Sequence, residues 1–234
     1  MVRVPAVRRE FLDSYGFVLL LIVATYALSV TLVEPWGATI IVFVQMVTVS
    51  MTLKVSRARR GLRIAAGVAL VVAGVAAAAN LVRPQDETLV PYVFLAASLL
   101  YVLAPFSIVR HVAFRDRVDR ETFLGALAAY TLIGMAFAFA YTFLGAVQSS
   151  SFFGADGDGT VADDLFFSFI TLTTTGYGNL VPEGNPGQSL AVLEALVGQL
   201  FLVTAVAKVV SSWTPRRRTA AAEASAEPGS SDDD

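Results

Sequence analysis

Residues 163–182 read Asp163-Asp164-Leu165-Phe166-Phe167-Ser168-Phe169-Ile170-Thr171-Leu172-Thr173-Thr174-Thr175-Gly176-Tyr177-Gly178-Asn179-Leu180-Val181-Pro182. The stretch has two halves. Leu165–Leu172 is apolar and reads as a short helix, but it is too short to cross a bilayer of about 30 Å, which takes about 20 helical residues. It must be re-entrant or buried in protein. Thr173–Gly178 places two glycines around a tyrosine, directly after a run of threonines.

Outward from this segment the chain is apolar in long blocks. Runs long enough to span occur at about Tyr15–Val33, Ala38–Leu53, Leu62–Val82, Leu89–Val109, Phe123–Val147 and Ser189–Val210. The expected fold is all-α, with six transmembrane helices plus a re-entrant pore helix between the fifth and sixth. Of 234 residues, 56% are apolar and 15% charged, against about 25% charged in soluble domains. Charge is costly in hydrocarbon, so the deficit fits a membrane protein. Arg3, Arg8 and Arg9 precede the first run, whose apolar core is too long for a cleaved signal and reads as a retained anchor.

Basic residues fix an expected orientation. Arg3, Arg8 and Arg9, then Lys54, Arg57, Arg59, Arg60 and Arg63, then Arg110, Arg115, Arg117 and Arg120, then Arg216, Arg217 and Arg218 all fall on one side if there are six spans. Arg83 alone falls on the other. The excess of Lys and Arg in cytoplasmic loops puts both termini in the cytoplasm. Five or seven spans would split the clusters. The outer loops are acidic, through Glu34, Asp86, Glu87, Asp156, Asp158, Asp163, Asp164 and Glu183.

The expected divisions are a cytoplasmic N-terminus (1–14), a four-helix membrane unit (15–109), an interfacial linker (110–122), a pore unit (123–212) and a disordered cytoplasmic tail (213–234). The tail's Ala, Glu, Ser and Asp cannot bury a core, so no soluble ligand-binding domain and no nucleic-acid partner is expected. A compact, cysteine-free chain that favours Arg over Lys points to a prokaryotic plasma membrane. Without cysteine there is no disulfide or thiol chemistry, and a single histidine, His111, excludes the usual His-based zinc constellations. No acid is paired with a base, and no phosphate-binding loop is present, so no catalytic residue is assigned.

Selecting a dehydrated cation requires oxygen ligands stacked along one axis. Successive backbone carbonyls supply them only if alternate residues take conformations that L-residues disfavour. Glycine at 176 and 178 permits this. The expected ligands for such a cation are the backbone carbonyls of Thr174, Thr175, Gly176 and Tyr177, with the Thr174 hydroxyl added at the inner end. One chain supplies one strand and a ring of carbonyls needs four, so the expected partners are three further copies in a homotetramer, with membrane lipids around it. No cofactor is expected.

Thr174-Thr175-Gly176-Tyr177-Gly178, after a short apolar helix and between two spans, resembles the pore region of the potassium channel family, whose filter is TVGYG or a close variant. The resemblance covers about Phe123 to Val210. It implies a potassium-selective channel with Thr174, Thr175, Gly176, Tyr177 and Gly178 as selectivity filter. Phe166, Phe167, Thr173 and Glu194 are the expected filter supports, with both phenylalanines placed to receive the Tyr177 ring. Asp163 or Asp164 is expected to cap the pore helix, whose C-terminal dipole would favour a cation in the cavity. Gly198, twenty residues beyond Gly178, stands where the family has a hinge glycine; close helix packing is the alternative reading. Gln199, Leu202, Val206 and Val210 share a face expected to line the cavity and inner gate. Ile170 and Asn179 replace acidic residues found in some family members, so an inactivation network of that kind is not carried over.

Glu194 is a carboxylate inside a spanning helix, expected to hydrogen-bond the pore helix of its own or the next subunit, with gating or proton sensing as alternatives. Lys208 is expected to snorkel to the inner interface. The fourth helix offers only Arg110 and His111 at its cytoplasmic end, too little charge for steep voltage gating. Pro105 is expected to kink that helix, and 111–121 to lie along the inner membrane surface. Ala155–Gly159 faintly resembles a calcium loop but lacks its later ligands. Competing readings are a weakly selective cation channel, a potassium transporter and a non-conducting membrane scaffold.

Overall fold

The computed structural model describes residues 14–31, 35–56, 58–82, 90–113 and 119–212. Seven helices occur among them: α1 (Tyr15–Thr31), α2 (Pro35–Val55), α3 (Arg60–Val82), α4 (Val90–Ala113), α5 (Arg120–Val147), α6 (Val161–Leu172) and α7 (Asn185–Ser212). A 3-10 turn at Gly154–Asp156 lies between α5 and α6. Segments Arg60–Ala79, Pro91–Arg110, Arg120–Val147 and Asn185–Lys208 are long and apolar enough to cross a membrane. Tyr15–Thr31 and Thr39–Val55 are apolar but shorter, near the lower limit for a span. This is a helical membrane protein.

Helix ends extend past the apolar runs because polar residues can complete a helix without entering hydrocarbon. Asp119 caps α5: its Oδ1 accepts from the Thr122 amide and hydroxyl, each at 2.7 Å. The helix therefore starts at Arg120 rather than Phe123. α4 continues through Pro105 to Ala113. Residues 110–113 and 120–122, expected in an interfacial linker, are thus helical, while 114–118 lie outside the described residues. α7 starts at Asn185 rather than Ser189, with Pro186 in its first turn, where a missing N–H costs nothing.

α4 and α1 pack against α5, while α2 packs on α1, α3 and α4, and α3 on α2 and α4. Phe94 of α4 stacks on Phe139 of α5 with centroids 6.1 Å apart, and Tyr101 tilts against the same ring at 6.0 Å. The Tyr101 hydroxyl donates to Thr25 Oγ1 at 3.2 Å, joining α4 to α1. Ser56 and Ser107 share a buried hydroxyl contact just after α2 and within α4. The Tyr15 amide at the start of α1 donates to Glu121 Oε2 at 3.0 Å, in the first turn of α5. Among its described side chains α3 buries the small Ala66, Ala73 and Ala77 and leaves Ile64, Val68, Val71, Val72 and Val75 exposed. A helix that faces lipid shows this division, since small residues let backbones approach while large apolar ones meet hydrocarbon.

The short helix α6 is held between α5 and α7. A Cβ added at Gly134 of α5 would come within 3.0 Å of the Phe169 ring, so glycine admits that ring. At the start of α6, Tyr141, Phe152, Phe153 and Phe167 form a second buried cluster. The amide of Glu183 donates to the Phe152 carbonyl at 3.0 Å, and a Cβ at Gly187 would strike Pro182 at 2.7 Å and Phe152 at 2.8 Å. The loops on both sides of the Gly-Tyr-Gly segment are thereby anchored to one aromatic core.

Candidate ion pathway

α6 begins with a reciprocal cap. Thr160 Oγ1 accepts from the Asp163 amide at 3.3 Å, and Asp163 Oδ2 accepts from the Thr160 amide at 2.8 Å. The cap residue is therefore Thr160, with Asp163 completing the box. Asp164, the alternative cap in the sequence reading, turns away: it is buried and accepts from the Thr142 hydroxyl of α5 at 2.6 Å. Buried Leu165, Phe167, Ser168, Ile170 and Leu172 give α6 its inward faces.

Beyond Leu172 the chain leaves the helix but stays tied to it. The Thr174 amide donates to the Thr171 carbonyl at 2.9 Å. The amides of Thr175 and Gly176 both donate to the Ile170 carbonyl, at 2.9 and 3.1 Å. These bonds leave the strand's own carbonyls out of the α6 ladder. Left-handed backbone recurs at every second residue, with φ of 56° at Thr174, 56° at Gly176 and 76° at Gly178. For threonine that conformation costs about 1–2 kcal/mol, because Cβ crowds the following carbonyl. An added Cβ at Gly176 or Gly178 would meet nothing within 4 Å, so these glycines serve conformation rather than space. Thr173 Oγ1 donates to the Phe169 carbonyl at 2.7 Å and lies 2.9 Å from Thr175 Oγ1. Residues 173–179 are exposed on the single chain.

Tyr177 lies parallel to Phe166, with centroids 6.1 Å apart and ring planes within 3°. Phe167 does not share this role. Successive helical residues point about 100° apart, and Phe167 instead meets Tyr141 at 5.0 Å and Phe153 at 5.6 Å in the second aromatic cluster.

Glu194 of α7 is fully buried. Its Oε1 accepts from Ser168 Oγ at 2.5 Å and its Oε2 from the Tyr141 hydroxyl at 2.6 Å. Ser168 Oγ also lies 2.6 Å from the Gly134 carbonyl. The carboxylate thus bridges α5, α6 and α7 within one chain. Ser168 and Tyr141 escaped the sequence reading because a lone serine and tyrosine in apolar helices carry no pattern of their own.

Gly198 follows one turn later. A Cβ there would sit 2.4 Å from the Leu172 carbonyl oxygen. Of the hinge and packing readings of this glycine, close packing has a direct geometric cause. Gln199, Leu202 and Val206 are exposed, as are Val192, Leu193, Leu196, Leu200 and Val203, so most of α7 is uncovered on the single chain. Lys208 is half-buried. The side chains of Val210 and His111 lie outside the described residues. In the outer loop Asp158 Oδ1 accepts from the Phe152 amide at 2.9 Å, which gives it a structural use. Among the described residues no group of three or more His, Cys, Asp or Glu side chains is placed to hold a metal ion.

Residues 129–214 match the sequence profile of a family described as ion channel. The chain is 35% identical over 85 residues to the inward rectifier potassium channel Kirbac3.1 of Paramagnetospirillum magnetotacticum, a match covering 36% of this chain and 27% of that one. It is 39% identical over 54 residues to Protein LctB of Bacillus caldotenax, covering 23% of this chain and 40% of that one. The chain therefore spans well under half the length of the curated relatives it matches. No solved structure matches. Over residues 129–214 the chain is thus similar to ion channels, a potassium channel among them.

Proposed function

We propose that the chain is one subunit of a homotetrameric, potassium-selective channel that passes K+ down its gradient, with six spans, both termini cytoplasmic and little or no voltage dependence. The observation that carries this reading is the left-handed backbone at Thr174, Gly176 and Gly178, at the exit of a buried, capped helix. An L-chain adopts that alternation at a cost, and stacking carbonyls on one side of a strand is a use that offsets it. The exposure of 173–179 beside a long uncovered apolar face on α7 supports assembly around an axis, because both surfaces gain partners there.

In this reading the carbonyls of Thr174, Thr175, Gly176 and Tyr177 replace the hydration shell of K+. Phe166 braces Tyr177. Glu194 fixes α6 against α7, and Gln199, Leu202, Val206 and Val210 face the cavity. The charge available to a voltage sensor is small, since α4 carries only Arg110 and His111 near its inner end.

The test is K+ flux from liposomes containing only this protein, with reversal potentials in mixed K+ and Na+. Strong preference for K+, lost in Gly178→Asp protein that still assembles, is the expected result. Equal passage of Na+ would favour a non-selective cation channel. Absence of flux from a well-assembled tetramer would favour a scaffold, and uptake coupled to a second ion would favour a transporter.

A further inference from the structure

Two residues outside the filter meet one backbone oxygen at its root, and a third packs on one of them. The Tyr130 hydroxyl of α5 donates to the Leu172 carbonyl at 3.1 Å. Gly198 of α7 lies against the same carbonyl, so closely that a Cβ would sit 2.4 Å from the oxygen and 2.8 Å from Leu172 Cδ1. Phe201, three residues along α7, packs its ring on Tyr130 with centroids 5.5 Å apart. Leu172 is the last residue of α6 and is fully buried. Beside this meeting point, α4, α5 and α7 border a half-open apolar cleft of about 970 Å³ that Tyr130 and Phe201 both line.

The C-terminal carbonyls of a helix lack partners within it and are satisfied from outside. Leu172 O has no free choice of direction here: the tyrosine hydroxyl pulls it toward α5, and Gly198 leaves it room. The next residue, Thr173, leads into the strand whose amides hang from the Ile170 and Thr171 carbonyls. A shift of α6's last turn would therefore move the acceptors that hold Thr174, Thr175 and Gly176.

We propose that Tyr130 is a positioning residue for the filter and that Gly198 is its contact partner, the two clamping the Leu172 carbonyl and thereby coupling displacements of α7 to the selectivity of residues 174–178. The inference rests on the channel reading of this site. Tyr130 sets the pose of the filter's root through one hydroxyl, and Phe201 carries movement of α7 to that hydroxyl through its ring. Gly198 is required because the carbonyl occupies the volume of a side chain, so a substitution there disturbs selectivity before it disturbs any bending of α7.

The experiment compares wild type, Tyr130→Phe, Gly198→Ala and, as a control, Tyr92→Phe in liposomes. Tyr92 is a largely exposed tyrosine of α4 whose ring tilts against Phe143. Two quantities are read: the ratio of Na+ to K+ permeation, and backbone amide exchange at residues 173–176. Loss of one net hydrogen bond corresponds to about a fivefold change in an equilibrium. Tyr130→Phe is expected to raise both quantities about that much, with Tyr92→Phe at the wild-type value. Gly198→Ala is expected to raise the ratio as well. Unchanged permeation ratio and exchange in folded Tyr130→Phe would overturn the proposal. So would a Gly198→Ala channel with reduced flux at the wild-type ratio, the behaviour of a hinge. The exchange measurement needs no conduction: accelerated exchange with no wild-type K+ flux would retain the clamp and reject the channel reading.

Discussion

Ser168 on α6 donates to Glu194 Oε1 on α7 at 2.5 Å, so the helix before the Gly-Tyr-Gly strand and the helix after it share a buried carboxylate. Tyr141 of α5 serves the other oxygen at 2.6 Å. A carboxylate at membrane depth is tolerated when its lone pairs are engaged, and removing one donor leaves an uncompensated polar atom. Ser168→Ala is expected to destabilise each subunit by about 1.5–3 kcal/mol. Tyr141→Phe should be similar. Glu194→Gln should be milder, because the amide still offers an acceptor and the hydroxyls can turn. Heat resistance of the purified oligomer measures this, and an unaltered midpoint for Ser168→Ala would remove the structural role of the bridge.

Gly176→Ala probes conformation alone. The space beside Gly176 is open, yet its φ of 56° costs an L-residue about 1–2 kcal/mol. In the proposed ring of four the strain would recur in every strand, so K+ flux is expected to fall steeply while the oligomer remains intact. Full flux from Gly176→Ala liposomes would mean that the left-handed backbone is not what conduction needs.

The two phenylalanines should separate cleanly. Phe166→Ala removes the ring stacked on Tyr177, a contact of about 0.5–1.5 kcal/mol, and is expected to raise relative Na+ permeability with little loss of stability. Phe167→Ala opens a hole in the aromatic core beside Tyr141 and Phe153, expected to cost about 3–5 kcal/mol and to lower yield and heat resistance. Reversal potentials paired with melting curves distinguish them; identical behaviour would contradict the different placements of the rings.

Voltage should matter little. Each elementary charge moved through the field is worth about 2.3 kcal/mol per 100 mV, and α4 carries no arginine repeat. Conductance in a planar bilayer is expected to vary shallowly with potential. A slope equivalent to several charges per tetramer would require a sensor elsewhere.

The helical membrane architecture was readable because long apolar runs have few other uses. The run Leu165–Leu172 falls inside α6, since an apolar segment too short to span has to be covered by protein. The helix ends were less legible. Asp119 and Pro186 extend α5 and α7 through polar residues, which an apolar count ignores. Side-chain partners were legible in part. Glu194 announced itself as a carboxylate among apolar residues, and its bond to the pore helix followed from neighbouring positions. Thr160, Tyr130, Ser168 and Tyr141 did not, because their roles depend on helix crossings that no local pattern records. Phe166 and Phe167 looked equivalent in sequence, and only the rotation of α6 separates them.

Ala113 ends α4 and Arg120 begins α5, leaving six residues to join the four-helix unit to the pore. Such a tether reaches at most about 3.6 Å per residue, and Phe94 and Tyr101 already grip Phe139 of the same chain. In the proposed tetramer each subunit would accordingly keep its peripheral helices on its own quarter of the ring instead of lending them to a neighbour. An injury to those helices in one protomer is then inherited by that protomer's outer wall, and a hybrid ring of intact and damaged chains would show graded rather than all-or-none impairment.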